Sequence, residues 1–276
     1  MSIHPLVTLR FAHRSDRGAT RRMNEDTSAV EEVRLSDGRT FVLAAVADGM
    51  GGTRAGAEAS QIAVTSAFNH FHATLRQQSP QKDSQWQQLL VASLRAANAA
   101  VLARGTEPNH SSMGTTLMLA VMIGRRAHIV HIGDCRAYAV RPAVRRPQIT
   151  QLTVEHTVVA ELIGQGALSY AEASGHPQRH ELARVLGAEQ EIEPEVAART
   201  LRAKELLVLC SDGLPLHLSD ADIARIVSDA RTPETACNDL IELANARGGR
   251  DNLSAVVISA APATCESATS EPIPPS

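Results

Sequence analysis

The chain has 276 residues, 43% hydrophobic and 21% charged, which supplies one large globular core or two small ones. A net charge of −3 and few aromatics (four Phe, two Tyr, one Trp) argue against electrostatic nucleic-acid binding and base stacking. No run of about eighteen apolar residues is present to form a membrane-spanning helix. Met1 to Arg10 lacks the charged-then-apolar layout of a secretory signal. The cysteines (Cys135, Cys210, Cys237, Cys265) are widely spaced with no C-x-x-C pair, so neither a disulfide framework nor a zinc site is expected. A reducing cytoplasm is the expected compartment.

In chain order, the apolar alternation Leu6 to Phe11 reads as a first strand. A charge-dense segment from Asp16 to Asp26 follows; it reads either as a surface loop or as a phosphate and metal site. Ala29 to Leu35 and Thr40 to Ala47 flank Ser36-Asp-Gly-Arg39, a hairpin signal because both central positions tolerate positive φ. The apolar run ending on Asp48 passes through Gly49-Met-Gly-Gly52 into an Ala-rich helix from Arg54 to about Leu75. Its stripe is Ile62, Ala63 or Ser66, Ala67, and Phe71 or His70. A second helix starts at a capping box, Ser84-Gln-Trp-Gln87, and stops at Gly105 and Pro108. Trp86, Leu90, Leu94, Ala97 and Val101 form its apolar face, so Trp86 is core packing.

Strands are expected over Gly114–Ile123, Ala127–Ile132 and Arg136–Val140. His128 and His131 face opposite sides of the second and cannot chelate one ion together. Residues 150–187 hold short helical pieces (Thr157–Ile163, Ser169–Glu172, Glu181–Leu186) without a long apolar stretch, which suggests a flap on the main body. After a loop containing Pro194 come a buried strand, Glu205–Cys210, and two helices. Ser219-Asp-Ala-Asp222 caps one helix, and Thr232-Pro233 starts the other, which reaches about Ala246. A last strand spans Leu253–Ser259, and 261–276 has the composition of a disordered tail.

Asp48, Asp212 and Asp251 stand at strand edges, and Glu25 adds a fourth carboxylate. Crowded carboxylates repel and raise one another's pKa; a divalent cation removes the conflict, and all-oxygen donors select Mg²⁺ or Mn²⁺. Two such ions suit the hydrolysis of a phosphate ester.

The order and spacing of several stretches resemble the metal-dependent serine/threonine phosphatases of the protein phosphatase 2C family, in their bacterial form. They are Asp16-x-Gly18-x-x-Arg21-x-x-Asn24-Glu25-Asp26, Val46-Ala-Asp48-Gly-Met-Gly-Gly52, Gly114-Thr-Thr116 and Gly133-Asp-Cys-Arg136. Leu152-Thr-Val-Glu-His156, His176-Pro177, Cys210-Ser-Asp-Gly-Leu214 and Arg250-Asp-Asn252 complete the set. The resemblance covers about residues 9–260 and implies an α+β fold: a four-layer αββα sandwich of two antiparallel sheets, one domain over 1–260.

It also implies roles. Asp48 would be shared by two ions, with Glu25 and the Gly49 carbonyl on one, and Asp212 and Asp251 on the other. Arg21 stands where the family binds phosphate, and a guanidinium fork matches phosphate oxygens in pairs. Asp26 and Asn252 would order waters and turns around the ligands. Asp134 is a candidate for a third ion beside Asp212, although Leu216 stands where relatives often supply a further aspartate. Met50 replaces a histidine that some relatives carry as a proposed acid, Cys135 replaces a serine, Glu155 an aspartate and Pro215 a commonly aromatic residue. The implied activity is hydrolysis of phosphoserine and phosphothreonine in proteins by a water activated by two Mn²⁺ or Mg²⁺ ions, opposing a serine/threonine kinase. The alternative is a catalytically silent domain on the same fold that binds phosphoproteins. No nucleic-acid or membrane partner is expected.

Overall fold

The computed structural model describes residues 7–35, 37–51, 54–107, 113–173 and 175–262. The strands are β1 (Val7–Asp16), β2 (Asp26–Arg34), β3 (Thr40–Met50), β4 (Gly114–Thr115), β5 (Leu117–Ile123), β6 (Arg126–Ile132), β7 (Arg136–Arg141), β8 (Gln148–Gln151), β9 (Glu195–Thr200), β10 (Leu206–Cys210) and β11 (Leu253–Pro262). The helices are α1 (Arg54–Gln77), α2 (Asp83–Gly105), α3 (Val158–Gly164), α4 (Tyr170–Ala173), α5 (Gly213–His217), α6 (Asp220–Asp229) and α7 (Pro233–Ala246).

Two sheets form, ordered β1-β11-β10-β7-β8 and β2-β3-β5-β6-β9, with β4 paired to β3 outside the second order. All the strand pairings are antiparallel. Strand β3 explains the layering. Phe41 to Ala47 are all fully buried, because both faces of the strand are covered. Phe41, Leu43, Ala45 and Ala47 pack with Ala63, Ala67 and Phe71 of α1 and Leu90, Leu94 and Val101 of α2. Val42, Ala44 and Val46, with Met118, Ala120 and Ile129 of the same sheet, face Ala137, Leu207, Leu209 and Val256 of the other sheet. The far face of that second sheet packs on α5, α6 and α7 through Val208, Leu240 and Ile241. The result is the expected α-β-β-α order of layers.

Local signals explain most element ends. Leu35 and Arg39 close the β2–β3 hairpin, with Gly38 at φ +85°. Ser219 and Asp222 form the reciprocal cap of α6, and Thr232 with Pro233 opens α7. Helix α2 begins earlier than expected: Gln85, not Gln87, reaches back to accept from the N–H groups of Gln81 and Lys82. Of the alternatives on α1, the buried stripe takes Ala63, Ala67 and Phe71. Trp86 lies 5.0 Å from Phe41 and 6.4 Å from Phe71, ring centre to ring centre, so it is core packing.

Several elements depart from expectation. The expected single strand 114–123 breaks at Thr116 into β4 and β5. Glu181–Leu186 is no helix; the chain is extended there, with isolated bridges Thr157↔Leu182 and Thr115↔Leu186. Strands β8 and β9 and the short helix α5 form where loops were expected. Both strands are sheet edges, β8 carries no apolar alternation, and only their partners β7 and β6 define them. Strand β11 runs to Pro262, past the expected start of the tail. The rest of that tail, together with Leu6, Ser36, Gly52, Pro108 and Cys265, lies outside the described residues.

Candidate metal centre at one end of the sandwich

Both sheets deliver their acids to one end. Asp48 continues the side of β3 occupied by Val42, Ala44 and Val46, so it enters the gap between the sheets as the apolar run stops. Asp134 sits in the β6–β7 turn, Asp212 follows β10, Asp251 precedes β11, and Glu25 precedes β2. These five acids, Arg21 and Gly49 line one cleft of about 1400 Å³. That exceeds the roughly 300–1,000 Å³ of a small-molecule pocket and leaves room for part of a macromolecule.

A network of buried hydrogen bonds fixes the loops that carry the acids. Asn252 Oδ1 accepts from Glu25 N–H at 2.8 Å, while its Nδ2 donates to Arg17 O and Met23 O, each at 2.8 Å. One amide therefore ties the segment before β2 to the start of β11. Gly49 N–H donates to Glu25 O at 3.1 Å, and Ser60 Oγ donates to the same oxygen at 2.6 Å. A Cβ on Gly49 would lie 2.0 Å from Gly56 O, so only glycine lets the turn after Asp48 pass so close to α1. Asp26, opposite Asp48 in the β2–β3 register, accepts from Ser211 Oγ at 2.7 Å. Asp26 and Asn252 thus lie behind the ligand candidates, as expected.

Charge accumulates here. Burial, then Asp26, Asp212 and Asp134, push the Asp48 carboxyl well above the usual carboxylate range. Burial also raises Asp26 to about 7, against the hydrogen bond from Ser211. Asp134 rises to about 7 through burial and then Asp212. Burial and then Asp251 raise Asp212. Asp134 Oδ1 and Asp212 Oδ1 are buried without a protein partner. Such oxygens fit a hard divalent cation, in a cleft whose wall also holds His180 and Met50.

Arg21 lines the cleft as expected but is not idle: its guanidinium donates to Asp251 Oδ2 at 2.8 Å. Leu216, 46% exposed, and Pro215 line the cleft near Asp212. Ser211, Ser60 and Thr116 were given no role from sequence, although Ser211 and Thr116 fall within the motifs quoted above. Their signal was adjacency to a ligand candidate or to its strand partner. His128 and His131 do lie on opposite faces of β6, one beside Asp83 and the other beside His156.

The buried His131 and His156 and the half-exposed Glu195 make a separate group, with His Nε2 to carboxylate distances of 4.0 and 3.6 Å. Gly133 N–H donates to His156 Nδ1, so the neutral ring carries its proton on Nε2, facing Glu195. A protonated nitrogen is not a metal donor, and the two neutral rings stack with centres 4.7 Å apart.

A sequence profile of the protein phosphatase 2C family matches residues 19–255. The serine/threonine protein phosphatase PstP of Mycobacterium tuberculosis is 40% identical over 252 residues; the match covers 91% of this chain but 45% of that protein. The serine/threonine phosphatase stp of Listeria innocua is 34% identical over 245 residues, covering 89% of this chain and 93% of that one. Among solved structures, the catalytic domain of PstP in complex with two manganese ions superposes with a TM-score of 0.74 at 36% identity, over 93% of this chain and 100% of that one. The S. agalactiae serine/threonine phosphatase gives 0.79 at 30%, over 91% and 99%. The two-sheet architecture, the converging acids and these matches across nearly the whole described chain lead to one assignment: it belongs to the protein phosphatase 2C family.

Proposed function

We propose that this chain is a Mn²⁺- or Mg²⁺-dependent phosphatase that removes phosphate from phosphoserine and phosphothreonine in proteins. The observation that carries this reading is the set of carboxylates from both sheets lining one open cleft with Arg21. Glu25, Asp48, the Gly49 carbonyl, Asp212 and Asp251 would hold two such ions. Bound divalent ions supply the charge neutralisation and acidification of water that hydrolysis of a phosphate ester requires. The protein's own contribution is placement. The Asn252 clip holds the Glu25 and Asp251 loops at fixed separation. Arg21, bonded to Asp251 at the cleft, carries a fork of donors that would match two phosphate oxygens. Met50, at the cleft wall, has no proton to give. Asp134 would be a ligand for a third ion, to which Leu216 offers nothing. Residues of the flap, about 150–187, line the cleft, among them Thr153, Val154, Glu155 and Leu182. The substrates come from a serine/threonine kinase, and three buried free thiols suit a reducing cytoplasm.

The test is phosphate release from a phosphothreonine peptide with Mn²⁺, with Mg²⁺ and with excess chelator. Release that needs metal and vanishes in Asp212→Asn is expected. No release in either metal from a folded protein would leave the silent phosphoprotein-binding domain as the better reading.

A further inference from the structure

The Gly114-Thr-Thr116 stretch has no part in the reading above, yet its geometry is specific. Strand β3 pairs with β5 as far as Val46↔Met118 and with β4 from Gly49↔Thr115, which sets Asp48 opposite Thr116. Thr116 N–H donates to Asp48 O at 2.9 Å, as an antiparallel ladder requires. The return bond is different: Asp48 N–H donates to the Thr116 hydroxyl, Oγ1, at 2.9 Å. The Thr116 carbonyl, released from the ladder, lies 2.8 Å from Thr115 Oγ1, which is also 2.9 Å from Asp48 O. A side-chain oxygen in place of a ladder carbonyl is what divides β4 from β5. On its other side Thr116 Oγ1 meets Cys135 Sγ at 3.2 Å. Its methyl group lies 2.4 Å from where a Cβ on Gly133 would stand, and Gly133 has φ +101°. Thr116 is fully buried and touches both the strand end bearing Asp48 and the turn bearing Asp134.

We infer that Thr116 is a positioning residue: its hydroxyl holds the Asp48 peptide, and so aims the Asp48 carboxylate at the metal pair. The inference rests on the assignment of Asp48 as a metal ligand. The carboxylate of Asp48 is surrounded by Asp26, Asp134 and Asp212, whose charges push it away from the site's centre. Resistance to that push comes from its backbone, which Thr116 holds at both the N–H and the C=O of Asp48. Outer contacts of this kind shift metal affinity by roughly 10- to 100-fold when lost.

The experiment is calorimetric titration of Mn²⁺ into wild-type protein, Thr116→Ala and Thr116→Ser, with a thermal melt of each. The two variants differ by one oxygen. Thr116→Ser is expected to bind Mn²⁺ within about twofold of wild type, and Thr116→Ala about tenfold or more weakly. If both variants melt lower but bind Mn²⁺ as wild type does, Thr116 is structural and the inference is overturned. Should Thr116→Ala fail to fold, Thr116→Val, which keeps the volume and lacks the hydroxyl, takes its place with the same expected loss. Wild-type protein that binds no Mn²⁺ would overturn the metal assignment and this inference together.

Discussion

The Asp48 carboxylate has a substitution that separates charge from shape. Asp48→Asn and Asp212→Asn keep the side-chain volume, remove one repulsive charge from the cluster and remove a ligand. Each is expected to lower turnover about a hundredfold or more while melting no lower than wild type without metal. Wild-type rates from either variant would end the two-ion assignment. Arg21→Ala is expected to raise KM for a phosphopeptide about tenfold or more, with a smaller change in kcat, because it removes contacts to a phosphate that is present throughout. An unchanged KM would leave Arg21 as a partner of Asp251 alone. At this scale the sequence carries a pattern, three acids at strand edges with Glu25 beside them, and the fold brings all four to one cleft. What it could not reveal was Arg21 bonded to Asp251, or a threonine hydroxyl standing in for a ladder carbonyl. Both depend on residues distant in sequence meeting in space.

Elements were legible in proportion to how much of their burial pattern was their own. Helices α6 and α7 carry their caps in sequence, at Ser219 with Asp222 and at Thr232 with Pro233. Strand β3 is buried on both faces, so its unbroken apolar run announced it. Strands β8 and β9 exist because β7 and β6 offer them open edges, and their sequences, Gln148–Gln151 and Glu195–Thr200, show little of this. The segment Glu181–Leu186 has helical composition but is held extended by Thr157 and Thr115, a case of tertiary pairing overriding propensity. Trp86 tests the outer helical layer. Wedged between α1 and β3 against Phe41 and Phe71, it should cost about 3–5 kcal/mol when cut to alanine. Chemical denaturation would measure this, and Mn²⁺ affinity in the folded fraction should not move. A cost below about 1 kcal/mol would show that the layer collapses freely around the gap.

The four layers as a whole place the chain's pH sensitivity far from its surface. His131 and His156 are buried, chiefly by burial held to about 4, well below the usual histidine value. In the unfolded chain both protonate near 6.5, so between about 6.5 and 4 the unfolded state binds more protons. Stability from this pair is complete above pH 6.5 and is lost as pH falls towards 4. The raised carboxyls of Asp26 and Asp134 act in the opposite sense in metal-free protein, so the informative quantity is a difference between two proteins. Melts of wild type and His131→Phe from pH 7 to pH 4.5 should converge as the pH falls, since the variant lacks one of the two protonating rings. Parallel curves would show that His131 does not titrate on unfolding.

Strand β1 pairs along its whole length with β11, from Val7↔Pro262 to Asp16↔Leu253. In a chain growing on the ribosome, β1 emerges well before β11, with every other strand of both sheets made between them. Until then its edge is open, and so is that of β10, which β11 also pairs with. Asp251 and Asn252, which close the acid cluster and clip the Glu25 loop, arrive with the same late strand. The cation site is therefore completed only once β11 has emerged. A nascent chain that stops before Asp251 carries Glu25, Asp48, Asp134 and Asp212 yet lacks the strand that joins β1 to β10.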